Sequence, residues 1–366
     1  MVRATGSGRT DVGSVRDHNE DSFLVDNDLQ LYIVADGMGG HDGGEIASAA
    51  AVKCLHERMV DADPRTPIEQ VVGEAVHEAC RRVYELAQTP QGKRGMGSTV
   101  TMLVVHGGYG ILGHAGDSRL YRTRDRQIDQ ISTDHTLVQR MVDAGKIKPE
   151  DAESHPKAHV LVNAVGVMET CEVDVQMFEA HAGDRFLLCS DGLSKYVDQP
   201  DTLAYFLAIE DSAIAADELI KWILEGEADD NVTVLVVDIV EGQVSSAKVD
   251  LESVSHFEKY TFESGDVLIE PGVQTDIWVV IAEGTANVWR WGVPLRTLEA
   301  GDSTGAAAFL VPRPSRAELR ASSDGAFYGI HNSALVDLSH NDRAAVLEVL
   351  ARHLADVARF AGIVDV

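Results

Sequence analysis

The chain has 366 residues and a hydrophobic share of 45%, enough to bury a sizeable core without disulfide staples. A formal net charge of −28 sets it against nucleic-acid backbones and anionic membrane surfaces. With no apolar run of membrane-spanning length, no signal-peptide core near Met1 and four scattered cysteines (Cys54, Cys80, Cys171, Cys189), the expectation is a soluble cytoplasmic protein with no membrane or nucleic-acid partner.

Leu31–Ala35 predicts a buried strand that ends at an Asp-Gly turn. Gly44–Met59 predicts a helix with Ile46, Ala50, Cys54 and Leu55 near one face. Pro67 opens a second helix, whose period runs through Ile68, Val71, Ala75, Ala79, Val83 and Leu86. Thr99–Val105, Gly110–Ala115 and Arg119–Tyr121 are short strands separated by Gly-rich turns, the spacing of an antiparallel meander. The polar, His-rich segment from Asp134 to Val167, with a short helix over His135–Ala144, reads as a flap. Phe186–Ser190 and Val232–Asp238 add apolar strands, and Ala213–Leu224 between them reads as a helix capped by Ser212.

Around Glu241–Asp250 the pattern lapses, which predicts a linker between a domain over 1–240 and a second over 251–366. In the second, strands over Asp266–Glu270, Ile277–Ala282 and Ala286–Trp291 alternate with Gly turns, and Asn332–Ala361 carries helical signals.

Acidic residues gather in the motifs Asn19-Glu20-Asp21, Ala35-Asp36-Gly37, Gly116-Asp117-Ser118-Arg119, Ser190-Asp191-Gly192 and Asp229-Asp230-Asn231. Several sit at predicted strand ends, from which distant carboxylates converge on one sheet face. Such a cluster repels itself unless cations neutralise it. All-oxygen ligands select Mg²⁺ or Mn²⁺ over zinc, and two such ions about 4 Å apart activate a shared water and clamp a phosphate. Any single Asp-Gly reads equally as a plain turn; the joint set does not.

Over about Gly6–Asp238 the chain resembles the metal-dependent protein phosphatases (PPM, type 2C). The matching stretches are Val15–Ser22, Val34–His41, Gly95–Thr99, Gly113–Arg119, Ser190–Leu193 and Asp230–Thr233, in family order. The resemblance implies an α+β fold, an α-β-β-α sandwich of two antiparallel sheets flanked by helices. It implies hydrolysis of phosphoserine and phosphothreonine by attack of metal-bound water, without a phosphoenzyme. By position, Asp36 bridges two ions with the Gly37 carbonyl as a further ligand, and Asp191 and Asp230 complete the first. Glu20 holds the second, Asp21 orients water from behind, and Asp117 with Asp191 matches the site of a third, weaker Mn²⁺ or Mg²⁺. Arg16 grips the substrate phosphate, and His41 is either the acid that protonates the leaving group or a residue that caps the turn or orients water. The flap departs from the usual pattern at Ala158-His159 and Val162-Asn163-Ala164, which bears on substrate preference. The expected partners are phosphorylated proteins, a serine/threonine protein kinase among them. The alternatives are an enzyme confined to one regulatory phosphoprotein, and a non-catalytic phosphoprotein-binding scaffold or ligand sensor. The scaffold would be marked by a lost ligand, and none is missing.

Phe262–Gly272, Val279–Gly284 and Leu298–Asp302 resemble cyclic-nucleotide-binding domains, which implies a small cupin-like β-roll closed by a C-terminal helix. The family's ligand glutamate is absent from Gly305–Leu310. Arg316 reads either as a ligand of a cyclic nucleotide's phosphate or as an exposed arginine at a strand start. Regulation, dimerisation and another small ligand all stay open for this domain. Leu335, Leu338, Leu347, Leu350 and Leu354 read as core packing or partly as a homodimer interface.

Overall fold

The computed structural model describes residues 2–40, 43–152, 154–197, 200–226, 228–241, 248–254, 257–333, 346–347 and 350–351. Two compact units divide them: one from Val2–Ala62 and Ile68–Glu241, the other from Asp63–Pro67 and the described residues beyond 241. No helix among the described residues is long and apolar enough to cross a membrane.

In the first unit the elements run β1 (Val2–Asp11), β2 (Asp21–Asp26), β3 (Leu31–Met38), α1 (Gly43–Asp61), α2 (Ile68–Ala87), β4 (Gly97–Ser98), β5 (Val100–His106), β6 (Tyr109–Ala115), β7 (Arg119–Arg124), β8 (Gln127–Gln130), α3 (Leu137–Asp143), β9 (Asp174–Glu179), β10 (Arg185–Cys189), α4 (Asp191–Ser194), α5 (Pro200–Leu207), α6 (Ser212–Glu225) and β11 (Val232–Glu241). One antiparallel sheet has the order β1-β11-β10-β7-β8; the other runs β2-β3-β5-β6-β9, with β4 paired to β3. Tyr32, Val34, Leu103 and Leu112 meet Leu120, Phe186, Leu188, Leu235 and Val237 in the core shared by the two sheets. Helices cover the outer faces: α1 and α2 lie on β3 and β6, and α6 on β1 and β11. The outer core beneath α5 and α6 joins Leu203, Phe206, Leu219 and Ile223 to Leu187, Val234 and Val236. Because β3, β5, β10 and β11 are covered on both faces, they read as continuous apolar runs rather than alternating ones.

Four expectations are corrected. The three strands from Val100 do not form a meander: β5 pairs β6, but β7 pairs β10 in the opposite sheet. The chain crosses between sheets at Gly116, whose φ of +121° no side chain adopts readily. Asp211, not Ser212, caps α6, accepting from the Ala213 and Ile214 amides at 2.8 and 3.0 Å. The flap helix is α3, shorter than expected, and its cap Thr136 accepts from the Gln139 amide at 3.2 Å. In α1 the buried face is Ala47, Ala51, Cys54, Leu55 and Met59, with Ile46 and Ala50 only half-buried, because this helix packs against β2, β3 and α2 at once.

In the second unit, two four-stranded sheets and one two-stranded pair are built from strands between Glu258 and His331. The strand Ile277–Glu283 is buried on both faces: Trp278 and Val280 join Phe309, Val346 and Leu350, while Val279 and Ile281 join Leu298, Leu319 and Phe327. Gly305–Leu310 turns into a short helix over Ala306–Leu310. Arg316 is exposed. Leu335, Leu338, Leu354 and most of the expected terminal helix lie outside the described residues.

Candidate functional site

The turns at one end of the two sheets bring five carboxylates to a single cavity of about 290 Å³, lined by Glu20, Asp36, Asp117, Asp191 and Asp230 with Arg16, Gly37 and His159. Each is placed by a strand end. Glu20 precedes β2, Asp36 lies near the end of β3, and Asp117 lies in the β6–β7 crossing. Asp191 opens α4 just after β10, and Asp230 stands two residues before β11.

Neighbouring motif residues hold these strand ends. The Asp36 amide donates to Thr99 Oγ1 at 2.9 Å, its carbonyl accepts the Thr99 amide at 2.8 Å, and Ser98 Oγ donates to the same carbonyl at 3.1 Å. Asp21 lies behind the cavity, buried, with Oδ2 accepting from Ser190 Oγ at 2.8 Å and Thr233 Oγ1 at 2.7 Å. Asn231 is a three-point clamp: Oδ1 accepts the Glu20 amide at 2.8 Å, and Nδ2 donates to the carbonyls of Val12 and His18, both at 2.9 Å. The loop that carries Arg16 and Glu20 is thereby fixed to the turn that carries Asp230 at the start of β11.

The electrostatics are those of a site short of positive charge. Loss of hydration, then the charges of Asp21, Asp191, Asp117 and Asp230, pushes the Asp36 carboxyl well above the usual carboxylate range. Burial and then Asp191 and Asp134 raise Asp117 to about 7. Burial opposes ionisation of Asp230, but Lys195, the Asn231 amide and Arg16 together hold it below its ordinary value. Glu20 Oε1, Asp21 Oδ1 and Asp191 Oδ1 are buried oxygens with no hydrogen-bond partner among the described residues. A side chain at Gly44 would strike the Glu20 carboxylate at 2.6 Å and the Gly37 carbonyl oxygen at 2.7 Å, so only glycine lets these oxygens pack this closely. Buried hard oxygens without partners, beside a cavity lined by five carboxylates, fit an oxygen-liganded divalent cation such as Mn²⁺ or Mg²⁺.

Two cations of the chain occupy part of this cluster. Lys195 Nζ lies 3.0 Å from Asp191 Oδ2 and 2.9 Å from Asp230 Oδ2; Arg16 Nη2 lies 2.9 Å from Asp230 Oδ1. As the side chains stand, no three His, Cys, Asp or Glu residues among those described are grouped to hold an ion together. Lys195 was missed by the sequence reading, although its i,i+4 spacing from Asp191 was there to see. His159, from the departing part of the flap, also lines the cavity. His41 lies outside the described residues. Arg316 belongs to the second unit, where its charge, after burial, helps to hold the Arg290 guanidinium down to about 10.

Comparison with known proteins gives this geometry a family. The protein phosphatase 2C model matches residues 8–223. The serine/threonine protein phosphatase PstP of Mycobacterium tuberculosis is 40% identical over 235 residues, which cover 64% of this chain and 45% of that relative. The chain thus spans about half the length of that relative. The serine/threonine phosphatase stp of Listeria monocytogenes is 31% identical over 63% of this chain and 94% of its own length. Among solved structures, the Mycobacterium tuberculosis PstP crystal structure superposes with a TM-score of 0.61 at 38% identity, covering 65% of this chain and all of that one. The PstP catalytic domain in complex with two manganese ions superposes with a TM-score of 0.59, also at 38% identity, covering 66% of this chain and 100% of that one.

Proposed function

Since the chain belongs to the protein phosphatase 2C family, we propose that its first unit hydrolyses phosphoserine and phosphothreonine in proteins, using Mn²⁺ or Mg²⁺. The observation that carries this reading is the set of unpartnered buried oxygens, Glu20 Oε1 and Asp191 Oδ1, in a cavity rimmed by Arg16. Asp36 would serve both ions, with the Gly37 carbonyl as a further ligand, Asp191 and Asp230 would complete one, and Glu20 would hold the other. Asp117 with Asp191 would supply a third, weaker position. Bound divalent ions supply a water acidified towards neutral pH and positive charge for the phosphate oxygens.

The remaining work falls to the chain. Arg16, half-exposed at the rim, presents a planar fork that suits two phosphate oxygens. Asp21 would accept a hydrogen bond from behind through Oδ1, since Ser190 and Thr233 already occupy Oδ2. The serine or threonine alkoxide leaves with a proton, for which His41 is the sequence candidate. Thr99, Asn231 and Ser190 hold the strand ends and so fix the approach of the phosphate.

The test is Mn²⁺-dependent phosphate release from a phosphothreonine peptide, wild type against Asp36→Ala. Release that collapses in the variant is expected; none from folded wild type would overturn the reading. We further propose that the partners are phosphoproteins, including a serine/threonine kinase, and that residues 251–366 form a regulatory domain resembling a cyclic-nucleotide-binding roll. Turnover of the full chain would then differ from that of a chain ending at Glu241 under at least one effector; equal rates throughout would refute it.

A further inference from the structure

Asp191 and Asp230 differ from the rest of the acidic cavity in already having a cation. Lys195 Nζ bridges their Oδ2 atoms at 3.0 and 2.9 Å. The bridge is built in by local structure: Lys195 ends α4, the turn that Asp191 opens, and its amide donates to the Asp191 carbonyl at 3.0 Å. Both partners are largely buried, with side-chain exposures of 20% and 21%, so the contact is poorly screened.

The remaining oxygens show what this does. Asp230 has none uncommitted, because Oδ1 faces Arg16 at 2.9 Å and accepts the Asn231 amide at 2.9 Å while Oδ2 holds Lys195. Asp191 keeps only Oδ1 without a partner, whereas the Glu20 carboxylate forms no ion pair among the described residues and packs with the Gly37 carbonyl around Gly44. An ion entering between Asp191 and Asp230 meets an ammonium on the same oxygens, and an ion entering beside Glu20 does not.

We propose that Lys195 is a built-in competitor of the divalent ion at the Asp191–Asp230 half of the site. It neutralises that pair in the metal-free protein and must yield its oxygens when the ion binds. The two halves therefore fill in order, the Glu20 side first at low metal and the Asp191–Asp230 side only at higher metal. The inference rests on the metal reading of the cavity given above.

The test is isothermal titration of metal-free full-length protein with MnCl₂, together with its melting temperature with and without saturating Mn²⁺, for wild type, Lys195→Met and Lys195→Arg. The expected result is two classes of site in wild type, with the weaker class about tenfold tighter in Lys195→Met, the size of a partly buried ion pair. Lys195→Met should melt lower than wild type without metal and level with it at saturation, because the loss falls on the metal-free state alone. Lys195→Arg, which keeps the charge, should keep the weak class. Unchanged or weaker Mn²⁺ binding in Lys195→Met would overturn the proposal and make Lys195 a positioning residue for the two carboxylates. Wild type that binds no Mn²⁺ at all would instead overturn the metal reading, and this inference with it.

Discussion

Asp21 and Asp36 are register partners, facing each other in the last pair of the β2–β3 ladder. Like charges directly opposite one another destabilise a sheet, and this pair is placed where the two sheets meet the cavity. Without metal, Asp36→Asn should therefore raise stability by about 2 kcal/mol while abolishing activity. Denaturant melts in EDTA check the first and phosphate release the second. A variant less stable than wild type in EDTA would show that the carboxylate is compensated by the fold alone.

Asn231→Ala should destabilise the unit by about 2–3 kcal/mol, since it removes three hydrogen bonds from a buried amide and leaves the Val12 and His18 carbonyls and the Glu20 amide without their partner. Its Mn²⁺ affinity should fall as well, because Glu20 loses its tether to the turn of Asp230. Asn231→Asp should restore the bond to the Glu20 amide but not those to the carbonyls. Equal stability of all three proteins in urea would contradict the clamp.

Arg16→Ala should lower kcat/KM on a phosphothreonine peptide by on the order of 100-fold, and Arg16→Lys by about tenfold, because an ammonium keeps the charge but not the planar fork. Steady-state kinetics at saturating Mn²⁺ separate this from metal binding. A lysine variant equal to wild type would mean that Arg16 acts by charge alone.

His114 gives the first unit an acid limit. Burial, then the charge of His135, holds its imidazole down to about 4 from an ordinary 6.5. Its Nε2 meets the Thr133 carbonyl at 3.0 Å, at the entrance to the flap. The unfolded chain takes up this proton below about pH 6.5 and the folded one only near 4, so stability present above 6.5 is lost as pH falls through that window. The loss is about 3 kcal/mol in total. His114→Gln should flatten the decline of melting temperature between pH 6.5 and 4; an unchanged slope would exclude His114 as its source.

The carboxylates that line the cavity were legible because each follows or precedes an apolar strand and carries its own turn chemistry. Asp36-Gly37 and Asp191-Gly192 mark strand ends that any fold with these strands must place at an edge. The crossing of β7 into the second sheet was not legible, since Gly116 permits both a hairpin and a change of sheet, and long-range pairing with β10 decides. Nor was β1, whose residues Gly6-Ser7-Gly8-Arg9 lack strand propensity; they are strand because β11 runs antiparallel to all ten residues of β1. The i,i+4 spacing of Lys195 from Asp191 did not single it out for a different reason: a lysine after a short turn is ordinarily a solvated side chain, and only the meeting of α4 with the Asp230 turn makes it an occupant of the site.

The pairing of β1 with β11 also governs timing. Val2 lies against Glu241 and Asp11 against Val232, so the unit's first strand waits for its last. Closing that loop carries the entropy of the whole intervening chain, and until it closes the outer edge of β11 stands open. The unit can therefore complete its sheet on the ribosome only after residue 241 has cleared the exit tunnel. The residues that follow supply the chain length that lets this happen while synthesis is still under way.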